Sequence, residues 1–221
     1  MIHTGAGQTT SQIAIIREGE PLNSFFGYRT DGIWQSQDEI TASGTKDNVR
    51  PGDIKFVDQN GDHTVNSDDR VIIGKSIPSV TMGFGNEFIW KGFTLNVFFD
   101  GAFGFQMLNN SVVESYYPVS HRRNRIAELY KNRWTSENPS NKYPSFVNPN
   151  RQGVRPVNDL TVEDASYFRL QTLQLSYRVP LKTEKISNLS FYILGQNLLT
   201  FTKYSGQDPA FNSNNSSTLR I

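Results

Sequence analysis

The densest set of oxygen donors in the chain lies in twelve consecutive residues, Asp58-Gln59-Asn60-Gly61-Asp62-His63-Thr64-Val65-Asn66-Ser67-Asp68-Asp69. Read as a 12-residue calcium loop, the segment places Asp58, Asn60 and Asp62 at positions 1, 3 and 5. Thr64 then offers its backbone carbonyl at position 7, Asn66 a side chain or bridged water at 9, and Asp69 the closing carboxylate at 12. A hard cation takes six to eight oxygens, and three carboxylates offset its charge. Two positions depart from the EF-hand pattern. His63 stands where glycine usually supplies a positive φ, and Asp69 is shorter than the usual Glu. The same residues also make an ordinary solvated loop of Asx turns without metal, and both readings remain open. Strands, not long helices, flank the segment, so a bound calcium would staple a long loop.

Other chemistry is sparse. His3, His63 and His121 lack the two-His spacing of a zinc helix. Glu163 and Asp164 are adjacent, so on a strand they point to opposite faces and fit a strand-entry turn better than an acid and base pair. His121, Arg122, Arg123 and Arg125 form a basic cluster that suits a phosphate or an acidic partner, with a solvated helix face as the plainer reading. Tyr116, Tyr117, Phe201 and Tyr204 fall near strand ends and long loops, where sugar stacking, an interfacial girdle and core packing all fit. No GxSxG, P-loop or dinucleotide fingerprint occurs, no catalytic residue is assigned, and the chain reads as a non-enzyme.

The elements that carry these groups are strands. In residues 81–101, Met82, Phe84, Phe88 and Trp90 share one parity with Asn86, and Thr81, Gly83, Gly85 and Glu87 share the other with Ile89. After Lys91-Gly92 the alternation resumes, with Phe93, Leu95, Val97 and Phe99 against Thr94, Asn96, Phe98 and Asp100, which predicts a tight hairpin. Residues 167–178 and 189–199 read as two more strands, Leu173, Leu175 and Tyr177 opposing Thr172, Gln174 and Ser176. Near the start, residues 13–16 and 22–34 read as strands joined by a turn at residues 17–21. Residues 35–79 and 102–166 read as long loops. The second is too long to lack structure of its own, and Ile126, Leu129, Tyr130 and Arg133 predict one short helix over residues 122–134.

Composition bounds the rest. The 221 residues include 22 Lys+Arg and 21 Asp+Glu, so no global attraction to nucleic acid is expected. The absence of Cys removes disulfide scaffolds, thiolate zinc sites and cysteine nucleophiles. No run approaches the roughly 18 apolar residues of a spanning helix, which leaves a β-barrel untouched. Connection lengths alternate between short and long along the six strands. Up-and-down strands would then collect every tight turn at one end and every long loop at the other, as in an outer-membrane barrel, although a sandwich with clustered loops gives the same pattern.

Five ordered blocks carry a family likeness. The first is Pro51-Gly52-Asp53-Ile54-Lys55-Phe56-Val57-Asp58, running into Asn60-Gly61-Asp62 and then Asp69-Arg70-Val71-Ile72-Ile73-Gly74. The others are Gly83-Phe84 with Trp90-Lys91-Gly92-Phe93; Asn132-Arg133-Trp134-Thr135 with Glu137-Asn138-Pro139; Val162-Glu163-Asp164-Ala165-Ser166-Tyr167-Phe168-Arg169-Leu170; and Gly195-Gln196-Asn197-Leu198-Leu199-Thr200-Phe201-Thr202-Lys203-Tyr204. Together they resemble the SusC/RagA-type TonB-linked outer-membrane transporters of Bacteroidetes. The resemblance implies an all-β fold, namely antiparallel up-and-down strands in the carboxy-terminal part of a 22-stranded transmembrane barrel. On it, residues 1–221 are one portion of the barrel domain, with the plug and TonB box upstream and the final strand beyond Asp208-Pro209.

It further implies TonB-dependent uptake of glycan or peptide fragments at the cell outer membrane, with TonB supplying energy and a SusD-like surface lipoprotein as lid. The loop at residues 35–79, with its calcium candidate, and the helix at 122–134 would lie outside the cell, as candidates for contact with that lid. Met82, Phe84, Phe88, Phe93, Leu95, Val97 and Phe99 would then meet membrane lipid, and Thr81, Glu87, Thr94, Asn96 and Asp100 would line a polar lumen. The rival expectation is a soluble β-rich, calcium-stabilised carbohydrate-binding module, in which the same apolar rows face a second sheet.

Overall fold

The computed structural model describes residues 2–5, 12–116, 127–146, 155, 157–181 and 188–210. They fall into two compact units, one of Met1–Ile77 with Gln106–Glu163 and one of Pro78–Phe105 with Asp164–Ile221.

The first unit is built from short pieces. A four-stranded sheet runs in the order β1 (Ile2–Gly5), β2 (Gln12–Ile16), β3 (Ser24–Gly27) and β6 (Val71–Lys75). Two-stranded sheets join β4 (Thr30–Ile33) to β5 (Ile54–Phe56), and β9 (Gln106–Leu108) to β10 (Val162–Asp164). Helices α1 (Gln37–Ser43), α2 (Asn110–Tyr116) and α3 (Ala127–Asn132) complete it. One core gathers Ile54, Phe56, Val65, Val112 and Leu129, another Phe25, Val157 and Val162, and a third Trp34, Ile40 and Val49. Burying such side chains stabilises by roughly 1.5–3 kcal/mol each, which is what lets segments this short hold their shape.

Residues 22–34 are not one strand: β3 and β4 belong to different sheets, and the break at Tyr28 is held by a bridge to Asn158. Residues 35–79 and 102–166 carry their own strands and helices, so the expected single short helix becomes three among the described residues. Within the helix predicted over 122–134, Ala127–Asn132 is helical. Residues 122–126 lie outside the described residues, and the chain leaves the helix before Trp134, whose N–H donates to the Tyr143 carbonyl. The turn at residues 17–21 does join β2 to β3, in register Ala14 with Phe25, but within the first unit's own sheet.

The second unit is one antiparallel sheet in the order β12 (Ser190–Thr202), β11 (Tyr167–Arg178), β8 (Phe93–Phe103), β7 (Val80–Trp90). Eleven residues at about 3.4 Å each give β7 a length near 37 Å, enough to cross a hydrocarbon layer when tilted. The turn at Lys91-Gly92 and the hydrogen bond from the Val179 N–H to the Leu189 carbonyl lie at one end of the sheet. The other end, where Thr81 pairs with Ala102 and Tyr167 with Thr202, sends out both long connections. The end-to-end asymmetry therefore holds for these four strands. A bulge between Leu170 and Thr172 absorbs Gln171 without exchanging the faces. The sheet is antiparallel and open at both edges, not closed into a barrel.

Candidate functional site

The acidic loop is held by its own backbone. Asp58 Oδ1 accepts the N–H groups of Asn60 and Gly61 at 3.2 and 2.7 Å, and Oδ2 that of His63 at 2.7 Å. Asn60 Oδ1 accepts from the Asp62 N–H and Asp62 Oδ1 from the Thr64 N–H, a ladder of Asx turns. His63 takes φ 65°, the conformation expected of a glycine there. Partial desolvation pushes the Asp58 carboxyl up, and the N–H groups of Gly61, His63, Asn60 and Asp62 outweigh it, so its pKa lies below the ordinary carboxylate value.

Asp69 is fully buried. Its Oδ1 accepts from the Gln59 N–H at 2.8 Å and its Oδ2 from the Asn66 N–H at 2.7 Å, while Asn66 Oδ1 caps the 3-10 turn Ser67–Asp69. Asp58, Asn60 and Asp62 thus line the open side of the loop, but the intended closing ligand points inward with both oxygens engaged. Among the described residues no trio of His, Asp or Glu side chains converges as a metal ion would need. Asp58, Asn60 and Asp62 offer oxygens on the open side, while Asp69 spends both of its oxygens on backbone N–H groups of the same loop.

A direct test follows. If calcium staples the loop, Asp58→Ala with Asp62→Ala lowers the thermal midpoint only in millimolar calcium. If the Asx turns hold the loop without metal, the loss, of several degrees, is the same with chelator as with calcium, because the substitutions strip caps from backbone amides. Differential scanning fluorimetry in the two buffers decides.

The motif around the loop explains itself locally. Arg70 Nη2 donates to the Phe26 carbonyl at 2.6 Å, and its guanidinium lies 4.9 Å from the Phe26 ring centre and 5.9 Å from that of Tyr28. Lys55 reaches Asp31 at 2.9 Å and Glu39 at 3.3 Å while lying over Trp34. A cavity of about 220 Å³ beside the loop is bounded by Trp34, Asp47, Lys55, Phe56, Asp58 and His63. It falls below the 300–1,000 Å³ typical of small-molecule sites. Glu163 and Asp164 form no acid and base pair: Glu163 faces Asn109, and Asp164 caps the Ser166 turn. His121 to Arg125 and Tyr117 lie outside the described residues, as do the side chains of His3 and Tyr116.

The second unit separates two chemistries across one sheet. Register links Trp90, Phe93, Tyr177 and Phe191 in a row; then Phe88, Leu95, Leu175 and Ile193; then Phe84, Phe99, Leu170 and Leu199. Phe93 and Tyr177 rings meet at 4.5 Å, and Phe99 stacks on Phe168 at 5.2 Å. Phe84, Phe88 and Ile193 are 57%, 59% and 77% exposed. On the opposite face the rows include Glu87, Asn96, Gln174, Leu194 and Gly83, Asp100, Arg169, Thr200, and Ile89 joins Thr94, Ser176 and Tyr192. Phe98 interrupts this polar face, its ring lying against the bare backbone of Gly83 and Gly85. The parities read from sequence for Met82 to Phe99 and for Thr81 to Asp100 are those the register displays. Sequence reading did not find the Asp100 and Arg169 pair, since cross-strand register is needed to see it.

No family model matches the chain. Over 218 residues it is 35% identical to TonB-dependent receptor P3 of Formosa agariphila, an alignment covering 95% of this chain and 20% of that one. It is 33% identical over 194 residues to TonB-dependent receptor P26 of the same organism, covering 86% and 19%. Its fold is similar to the RagAB peptide importer in the open-open state, with TM-score 0.63, 28% identity, and coverage of 86% and 20%. The RagAB peptide transporter gives TM-score 0.65 at 26% identity, with the same coverage. The chain therefore spans about a fifth of the length of these relatives and structures.

Proposed function

We propose that this chain, homologous to a segment of TonB-dependent receptors, is part of the wall of such a receptor in the outer membrane and takes part in energised uptake of polar oligomers. The observation that carries this reading is the two-faced sheet, with aromatic and aliphatic rows exposed on one side and Thr, Asn, Gln and paired charges on the other. Apolar rows of this extent are favourable against lipid and costly against water. On the barrel arrangement the Lys91-Gly92 turn is periplasmic and the long connections are extracellular. Passage is gated transport without bond chemistry, the lumen face offering hydrogen-bond partners that exchange with a moving solute.

The solute is a glycan or peptide fragment. The likeness to a protein described as a peptide importer supports the peptide arm, and the Asn, Gln and Thr lining suits either class. TonB would supply energy through a region outside this chain, and a SusD-like surface lipoprotein would cover the extracellular mouth. The test is accumulation of fluorescent peptides and oligosaccharides in cells with the receptor, without it, and with TonB inactivated. Accumulation should require both proteins, and accumulation that persists without either would reject the reading.

A further inference from the structure

The polar face holds an ion-pair cluster that alternation does not call for. Arg169 on β11 stands directly opposite Asp100 on β8. Its Nε donates to Asp100 Oδ1 and its Nη2 to Asp100 Oδ2, both at 3.0 Å, a bidentate fork. Tyr167 adds its hydroxyl to Asp100 Oδ2 at 3.1 Å and lies with its ring 5.5 Å from the guanidinium. Gly83 and Thr200 flank the pair in its row, so nothing bulky crowds it.

The third nitrogen is not spent on the wall. Arg169 Nη1 lies 3.7 Å from Oδ2 of Asp208, beyond the end of β12. Asp208 is aimed by its own turn, because its Oδ1 accepts the Ala210 N–H at 2.8 Å. The chain is steered back towards β11 at Thr202, whose hydroxyl donates to the Ser166 carbonyl at 2.9 Å and accepts the Tyr204 N–H at 3.1 Å. Pro209, next to Asp208, is buried. One guanidinium thus faces two carboxylates. Asp100 fixes it in the sheet and Asp208 is the movable partner, the Arg169 and Asp100 side chains being only 12% and 20% exposed against 43% for Asp208.

We propose that Arg169 is a positioning residue that straps residues 203–210 against the lumen face at the end of the wall where the long connections leave, so that the strap borders the entrance for solute. The proposal rests on the reading of this face as a lumen. Without the arginine, two like charges would face each other and the strap would lift.

The test uses the full-length receptor carrying this sequence in outer-membrane lipid, with a nitroxide on Gln207→Cys. Asp208→Asn is the informative variant, because its amide oxygen still accepts the Ala210 N–H and only the charge facing Arg169 is lost. The label's correlation time should shorten at least about threefold in Asp208→Asn and equally in Arg169→Gln, with no further change in the double variant, as coupled partners require. Unchanged mobility in Asp208→Asn overturns the strap. In cells, the same variant should change the apparent KM for a fluorescent peptide mixture about threefold at constant maximal rate. A freed label with unchanged KM removes the strap from the entrance while leaving the uptake reading intact. Absence of uptake by the parent receptor counts against that reading, and label mobility then decides the strap alone.

Discussion

Leu173→Arg is expected to destabilise the assembled wall by about 2–4 kcal/mol, whereas Gln174→Arg, one residue along, should change it by less than about 1 kcal/mol. The two side chains leave the same strand in opposite directions. Leu173 lies between Val97 and Gly195 in the middle row of the apolar face, and Gln174 between Asn96 and Leu194 in a polar-face row. A guanidinium near the middle of a hydrocarbon layer must reach an interface or drag water with it. On a wet lumen it keeps its hydration, with Glu87 in the same row. Guanidinium titration of the receptor in lipid vesicles, followed by the heat-dependent gel shift of folded barrels, gives both midpoints. Equal cost at the two positions would mean that both faces meet the same surroundings, which neither a lipid-facing sheet nor a soluble two-layer sheet allows.

The sheet of the second unit was legible in sequence because its rule is local. Alternation with period two in residues 81–101 and 172–178 needs no partner to be recognised; β7 and β8 follow it over 11 residues each, and β11 follows it on either side of its bulge. The first unit obeys no such rule. Its strands are three to five residues long and pair across distant sequence, as β3 does with β6, so periodicity has too few residues to register. Helix α1 did leave a signal, since Ser36 accepts the Glu39 N–H in the Ser-x-x-Glu spacing of an N-terminal cap. Seven residues with only Ile40 buried gave no stripe to support it.

The acidic loop illustrates a different limit. Oxygen spacing alone cannot distinguish ligands from caps, because an aspartate that accepts backbone N–H groups and one that awaits a cation have the same place in the chain.

The five sequence blocks also become intelligible as places where distant segments touch, and Gly52 is the sharpest case. Asp53 donates its N–H to the Arg50 carbonyl, and Gly52 takes φ 91°, so Pro51-Gly52 fills the two middle positions of a type II turn. The Gly52 N–H donates to the Trp34 carbonyl and its own carbonyl accepts from the Ser145 N–H, both at 2.7 Å. A Cβ there would stand 2.5 Å from the Trp134 ring and 2.6 Å from Ser145 Cβ. Gly52→Ala therefore combines left-handed strain of roughly 1–2 kcal/mol with an overlap that neither neighbour can relieve without moving its segment, for a total of about 3–5 kcal/mol. Gly61 is the control: its φ is 76° with nothing within 4 Å of an added Cβ, so Gly61→Ala should cost only the backbone strain, roughly 1–2 kcal/mol. Amide hydrogen exchange of the full receptor reads the difference. Protection of the Trp34, Gly52 and Ser145 N–H groups should fall at least about a hundredfold in Gly52→Ala and hold within roughly tenfold in Gly61→Ala. Similar losses in the two variants would mean that the turn, not the Trp134 contact, demands the glycine, and that the Pro51-Gly52-Asp53 and Arg133-Trp134-Thr135 blocks do not depend on each other.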